Sequence, residues 1–229
     1  MKSKINEIKP GIKLFLDVLG RFIYIISSSL IIIFAGGGLA FLDKPIGVIY
    51  LILWISWWTI TFIGRQRGKE TEYNKGQKIL VTFSGFISVP FLIIIPSLEY
   101  FYFDWPIPRD GFLSWVGLTL FVSGILMQSI AMWQLRGSYT VRIGIQPEQH
   151  LAKTGLYRLI RHPGYLSYII SIIGIGLSLS SLLTLIFVVF IVYFILWRIK
   201  GEEEMLLVEF GDEYKTYMNR TKRLMPFIY

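Results

Sequence analysis

The chain has 229 residues, of which 54% are hydrophobic, 16% aromatic and only 17% charged, with a formal net charge of +8 and no cysteine. Soluble domains carry roughly 45–50% apolar and about 25% charged residues, so this balance excludes an ordinary soluble protein and makes lipid the solvent for most of the chain. The missing cysteine excludes disulfides, thiolate catalysis and cysteine-ligated metals, and no metal is expected.

A bilayer core of roughly 30 Å takes about 20 helical residues. Apolar runs of that size cover 22–42, 46–63, 79–97 and 112–133, and a longer one, 166–197, is interrupted by Ser178, Ser180 and Ser181. The first run follows a basic arm, exceeds a signal-peptide core and lacks an Ala-x-Ala cleavage site, so it reads as a retained span. Between the first two runs Asp43, Lys44 and Pro45 form a tight turn. Trp57 and Trp58 are expected near the inner interface, and Tyr100, Phe101, Tyr102, Phe103 and Trp105 at the outer one, where aromatic belts collect. The last run is too long for one crossing and is expected to fold into a hairpin with its tip near Ser178 to Ser181.

Lys and Arg placement tests this count independently, since cytoplasmic loops are enriched in them. Of the 23, five lie in the N-terminal arm, five in 64–78, five in 134–163 and six from Arg198 onward; only Lys44 and Arg109 lie in the opposite loops. The expected protein is an all-α, polytopic transmembrane bundle of five to six membrane segments in a plasma or endoplasmic-reticulum-type membrane. Both termini are cytoplasmic, and the C-terminal hairpin is followed by an amphipathic tail helix. The positive charge is then explained by topology and anionic lipid, without a nucleic-acid partner. Residues 1–133 read as a scaffold and 134–229 as the catalytic region.

Small residues occur where helices are expected to touch. Gly36 pairs with Ala40, and Gly164, Ser167, Ser171, Gly174 and Ser178 line one helix face, which predicts that the fifth segment is clamped against a neighbour.

Polar detail is concentrated in two places. His162-Pro163 opens the fifth helix, because proline suits a first helical turn and biases the residue before it toward extension. The free amides there favour an anion, although an ordinary membrane entry has the same pattern. At the far end of the hairpin, Arg198 and Glu202 share a helix face if the sixth helix continues. They make either a solvated ion pair or, because the hairpin returns them to the face that holds His162, part of a convergent site. Beyond Glu202, Leu206, Phe210 and Tyr214 recur at helical spacing, which suits a helix on the inner interface that either roofs a site or serves only as a structural foot.

The pattern Gly155-Leu156-Tyr157-Arg158-x-x-Arg161-His162-Pro163-x-Tyr165, then a hydrophobic hairpin, then Arg198-x-x-x-Glu202-Glu203 and Phe210-Gly211-x-x-Tyr214-x-x-Tyr217, ending near Pro226, resembles the isoprenylcysteine carboxyl methyltransferase family over roughly residues 134–229. The resemblance implies methyl transfer from S-adenosyl-L-methionine to a lipophilic, isoprenoid-linked carboxylate at the cytoplasmic leaflet. It places the cofactor against Gln149, His150, Leu151, Ala152, Tyr157, His162, Pro163, Gly164, Tyr165 and Glu202, and makes Arg198 the substrate-facing residue. The segment before Gly155 is one residue shorter than in eukaryotic members, which leaves the register at Gln149 to Ala152 open by one. A carboxylate acceptor is already ionised and needs no base, so Arg198 would hold it in line with the reacting bond. An amine acceptor, as in phospholipid N-methyltransferases, would need Glu202 or Glu203 as base. A nicotinamide-dependent sterol or enone reductase on the same scaffold is the alternative from another reaction class, and a transporter, which needs mid-span charge, ranks last. Oligomeric state is not legible.

Overall fold

The computed structural model describes residues 10–64, 90–135 and 151–225. Residues 65–78 of the expected loop, residues 79–89 of the third apolar run, and Gln149 and His150 lie outside the described residues. Six helices follow in order: α1 (Pro10–Ala35), α2 (Pro45–Gly64), α3 (Ile95–Tyr102, entered through a π-helical turn at Pro90–Ile94), α4 (Phe112–Gln134), α5 (Pro163–Ser178) and α6 (Leu182–Arg220). The protein is an all-helical membrane bundle, as its apolar runs imply. Among the described residues, four helices are long and apolar enough to cross a bilayer, and the described part of the third run and α5 make two shorter apolar helices. At 1.5 Å per residue, the 16 residues of α5 rise about 24 Å, short of a full hydrocarbon core.

Backbone proximity between α4 and α5 sets the bundle, and these two helices share the most extensive contact among the described residues. A Cβ on Gly117 would lie 2.8 Å from Gly174 O, one on Gly124 would lie 2.8 Å from Ser167 O and 3.0 Å from Ser171 N, and one on Gly174 would lie 2.8 Å from Gly117 O. The small-residue face of α5 is therefore clamped as expected, against glycines of α4. In lipid, where apolar burial does not drive helices together, such close approach supplies the packing. Gly36 and Ala40 correct the companion expectation. Gly36 ends the α1 turn facing the ring of Phe41, and Ala40 lies in a short 3₁₀ turn, so they form no helix–helix face.

Trp57 also departs from expectation. It is buried between helices and does not face headgroups, and its Nε1 donates to Gln128 Oε1 on α4. Trp54 Nε1 donates to Ser28 Oγ at 3.0 Å and Tyr50 Oη to Leu92 O at 3.0 Å, so the polar tips of these aromatic side chains are satisfied inside the span. Tyr102 and Phe103 are exposed as a belt requires, whereas Tyr100 packs into the core.

The hairpin tip falls where the serines place it. Ser180 takes a left-handed φ of 52° and Ser181 caps α6, its Oγ accepting from Thr184 N at 3.3 Å. Glu99 of α3, which is 3% exposed, closes this end by accepting from Ser181 Oγ and from Leu183 N. A carboxylate at the amide end of a long helix is favoured by the helix dipole.

Replacing Gly117 with Ala forces α4 and α5 apart and is expected to destabilise the bundle by about 1–3 kcal/mol. Gly20→Ala, where nothing lies within 4 Å, should leave the melting temperature unchanged or slightly raised. Thermal unfolding in detergent, followed by tryptophan fluorescence at one scan rate, compares the two.

Candidate active site

The site is assembled at the end of the bundle opposite the serine tip. A short 3₁₀ turn, Gly155–Arg158, leads into it. Gly155 has φ 60° and sits on the side chain of Gln134, so a side chain there meets both strain and a clash. Gln134 Oε1 in turn accepts from Leu156 N at 2.9 Å, which ties this turn to the end of α4. Pro163 then begins α5 as its first helical residue, and His162 precedes it with its carbonyl accepting from Tyr165 N and Leu166 N, both at 3.2 Å.

The other half comes from α6. From Leu182 to Phe210, before the break at Gly211, it rises about 44 Å, more than the hydrocarbon thickness, and its apolar stretch ends at Trp197, so Arg198, Glu202 and Glu203 lie at the end opposite the serine tip. The helix runs unbroken past Glu202 and breaks at Gly211, where φ 51° and ψ −123° are open to glycine and strained for other residues. The expected tail helix therefore begins at Gly211 and not at Glu202; it is a second helix, redirected so that Tyr214 and Tyr217 are buried while Val208, before the break, stays exposed.

The two halves meet at Tyr165. Arg198 Nε donates to Tyr165 Oη at 2.7 Å, and Tyr165 Oη donates to Glu202 Oε2 at 2.8 Å. The Arg198 guanidinium also lies 5.7 Å from the Tyr165 ring centroid, and the His162 ring lies 5.7 Å from the same ring. The hairpin therefore brings Arg198, Glu202, Tyr165 and His162 together, joined through one phenol.

Glu203 faces elsewhere. Adjacent residues on a helix point about 100° apart, and Glu203, 3% exposed, receives Arg161 Nε on Oε1 at 2.7 Å and Arg223 Nε on Oε2 at 2.8 Å. His162 Nε2 stands 3.4 Å from Oε1. Burial pushes this carboxyl up, but the contacts with His162 and Arg161 outweigh it and hold the group at about 2, below its ordinary 4.5. Arg161 also donates through Nη1 to Met218 O at 3.1 Å and to Thr221 O, capping the end of α6.

Of the remaining expected residues, Tyr157 is buried and its carbonyl accepts from Tyr217 Oη at 2.7 Å, tying it to the redirected end of α6. Pro163 and Gly164 occupy the first turn of α5. Leu151 and Ala152 are half-buried before the 3₁₀ turn and make no hydrogen bond to the cluster among the described residues. Sequence reasoning missed Gln134 and Arg223 as site components, and treated Arg161 and Tyr214 only as parts of a motif or of the tail helix. Tyr214 Oη is buried with no hydrogen-bond partner among the described residues, and His162 Nε2 faces only the Glu203 carboxylate at 3.4 Å. A polar ligand with its own donors and acceptors fits such a place.

Fold and site together define an integral membrane enzyme, its polar groups gathered where the helices leave the apolar core. A family model described as the isoprenylcysteine carboxyl methyltransferase (ICMT) family matches residues 115–208. Among relatives, a probable protein-S-isoprenylcysteine O-methyltransferase of Oryza sativa subsp. indica is 28% identical over 176 residues, 73% of this chain and 85% of that protein. Protein-S-isoprenylcysteine O-methyltransferase B of Arabidopsis thaliana is 30% identical over 142 residues, 59% of this chain and 72% of that protein. The solved structure of the eukaryotic intramembrane Ras methyltransferase ICMT superposes with a TM-score of 0.57 at 15% identity, covering 98% of this chain and 89% of that one, a likeness of fold. The chain belongs to the isoprenylcysteine carboxyl methyltransferase family and is a membrane methyltransferase.

Because the folded-state value of Glu203 is depressed, its contribution to stability is full above about 4.5 and is lost as pH falls toward about 2. Wild type should therefore lose melting temperature between pH 5 and pH 2.5 by an increment that Glu203→Gln lacks. At neutral pH that variant, leaving two arginines around a neutral amide, is expected to cost roughly 3–5 kcal/mol.

Proposed function

We propose that this protein transfers a methyl group from S-adenosyl-L-methionine to the carboxylate of an isoprenylcysteine-like lipophilic substrate at the cytoplasmic face of its membrane. Residues 134–229 supply the site and residues 1–133 the scaffold. The carrying observation is the chain from Arg198 through Tyr165 to Glu202, with distances of 2.7 and 2.8 Å, beside His162. Family membership supports the reaction, and the buried Tyr214 Oη, without a hydrogen-bond partner among the described residues, supports a polar methyl donor at this place.

When bound, the sulfonium donor supplies an electrophilic methyl group. The chain's own residues then bind, orient and exclude water. Arg198 is held through Nε by Tyr165, and a guanidinium offers planar, bidentate recognition of a carboxylate. The acceptor carboxylate is ionised at neutral pH, so no side chain has to remove a proton. Glu203, engaged by two arginines and held at about 2, is unsuited to be a base near neutrality. An amine acceptor, which requires one, would have to use Glu202 instead. Glu202 keeps Tyr165 oriented through the phenol proton, and its carboxylate, the His162 imidazole and the first-turn amides of α5 would hold a donor that carries both a cation and polar groups. Leaving the mouth at the edge of the apolar core strips water from the reacting anion and lets a prenyl chain remain in lipid.

Incubation with methyl-labelled adenosylmethionine and a prenylcysteine analogue should give a lipid-extractable product whose label is released by base, as an ester requires. A base-stable product would rule out carboxyl methylation. Arg198→Ala should lower kcat/KM for transfer by about 30-fold or more, in keeping with the loss of about 2 kcal/mol or more when a charged hydrogen-bond partner is removed. Donor affinity, measured by isothermal titration, should stay within threefold. Glu202→Gln should show the opposite balance, with weakened donor binding.

A further inference from the structure

The described chain ends in a segment, 221–225, that the methyl-transfer chemistry does not use, yet it lies directly on the site. Arg161 N donates to Lys222 O at 2.8 Å, His162 N to Arg223 O at 3.1 Å and Lys222 N to Leu159 O at 3.4 Å, a parallel bridge centred on Ile160 and Lys222. Leu224 is 6% exposed and packs into the core, which anchors the segment beyond the bridge.

We propose that Arg161, Glu203 and Arg223 form a clamp that straps 221–225 across the mouth of α5 and thereby sets the position of His162, with Glu203 and Arg223 as positioning residues. The two oxygens of Glu203 are divided between the two sides of the bridge. Oε1 takes Arg161 from the α5 side, and Oε2 takes Arg223 from the strap. Two guanidiniums brought this close repel each other unless a carboxylate stands between them, and this one remains ionised throughout the physiological range. His162 is held by the strap through its main chain while its ring faces Glu203 at 3.4 Å and Tyr165 at 5.7 Å. Since Glu202 and Glu203 are adjacent on α6, fixing Glu203 to the strap also fixes the rotation that aims Glu202 at Tyr165. Closure of the site and orientation of its two polar halves become one event.

The role in donor binding rests on the function proposed above; the clamp itself does not. Arg223 is the variant to use, since its side chain is one-third exposed and Glu203 is buried. In Arg223→Ala, hydrogen exchange of the amides of Arg161 and His162 should be at least tenfold faster than in wild type. The KM for adenosylmethionine should rise about tenfold with kcat within threefold, and Arg223→Lys should recover most of both effects. Should the alanine variant not elute as a folded species, Arg223→Gln takes its place. Unchanged exchange at 161 and 162 overturns the clamp. A fall in kcat at unchanged KM overturns the positioning role. If wild type transfers no methyl group from this donor, the function proposed above fails, and the exchange measurement still decides whether the strap is held by this clamp.

Discussion

Where α4 and α5 lie so close that Gly117, Gly124 and Gly174 leave no room for a Cβ, backbone packs directly on backbone. Lipid tails compete on equal terms with apolar side chains, so this close approach, with its dispersion contacts, is what holds a short helix such as α5 in place. Every later feature depends on it. The fixed depth of α5 sets the height of its proline mouth, and the tip behind it determines where α6 begins its return.

The tip is secured from the other end by a buried carboxylate. Glu99 meets Ser181 and the first amides of α6 without the cost of an unpaired charge, since those amides carry the positive end of a long helix. A helix longer than the hydrocarbon core then delivers Arg198, Glu202 and Glu203 to the far end of the bundle. One long element thus couples a polar pin at one end to a reactive cluster at the other.

Within that cluster, two neighbouring carboxylates take different roles because a helix turns about 100° per residue. Glu202 shares a phenol with Arg198 and stays partly accessible, whereas Glu203 is enclosed by arginines. An enzyme whose acceptor is already an anion needs a cation and a dry, ordered mouth more than it needs a base, and the cluster has that character. The lipid-facing surface of the remaining helices suits a substrate that arrives from within the membrane.

Composition, the apolar runs and the placement of Lys and Arg were enough for the membrane class, the helix count and the hairpin, because a bilayer demands about 20 apolar residues per crossing. The small-residue face of α5 was legible for the same reason: spacings of three and four admit one helical face. The motif around His162 and the pair Arg198 and Glu202 pointed to the site and to the family. What these could not contain was anything dependent on who meets whom across the bundle. Trp57 reads as a headgroup-facing tryptophan until Gln128 is found opposite it, and Gly36 and Ala40 read as a helix face until α1 ends before both. Glu202 and Glu203 are indistinguishable in one dimension; only Tyr165 on one side and Arg161 with Arg223 on the other separate them. Arg223 and Glu99 lie far along the chain from the groups they serve, and such partners are chosen by folding geometry, which local periodicity does not encode.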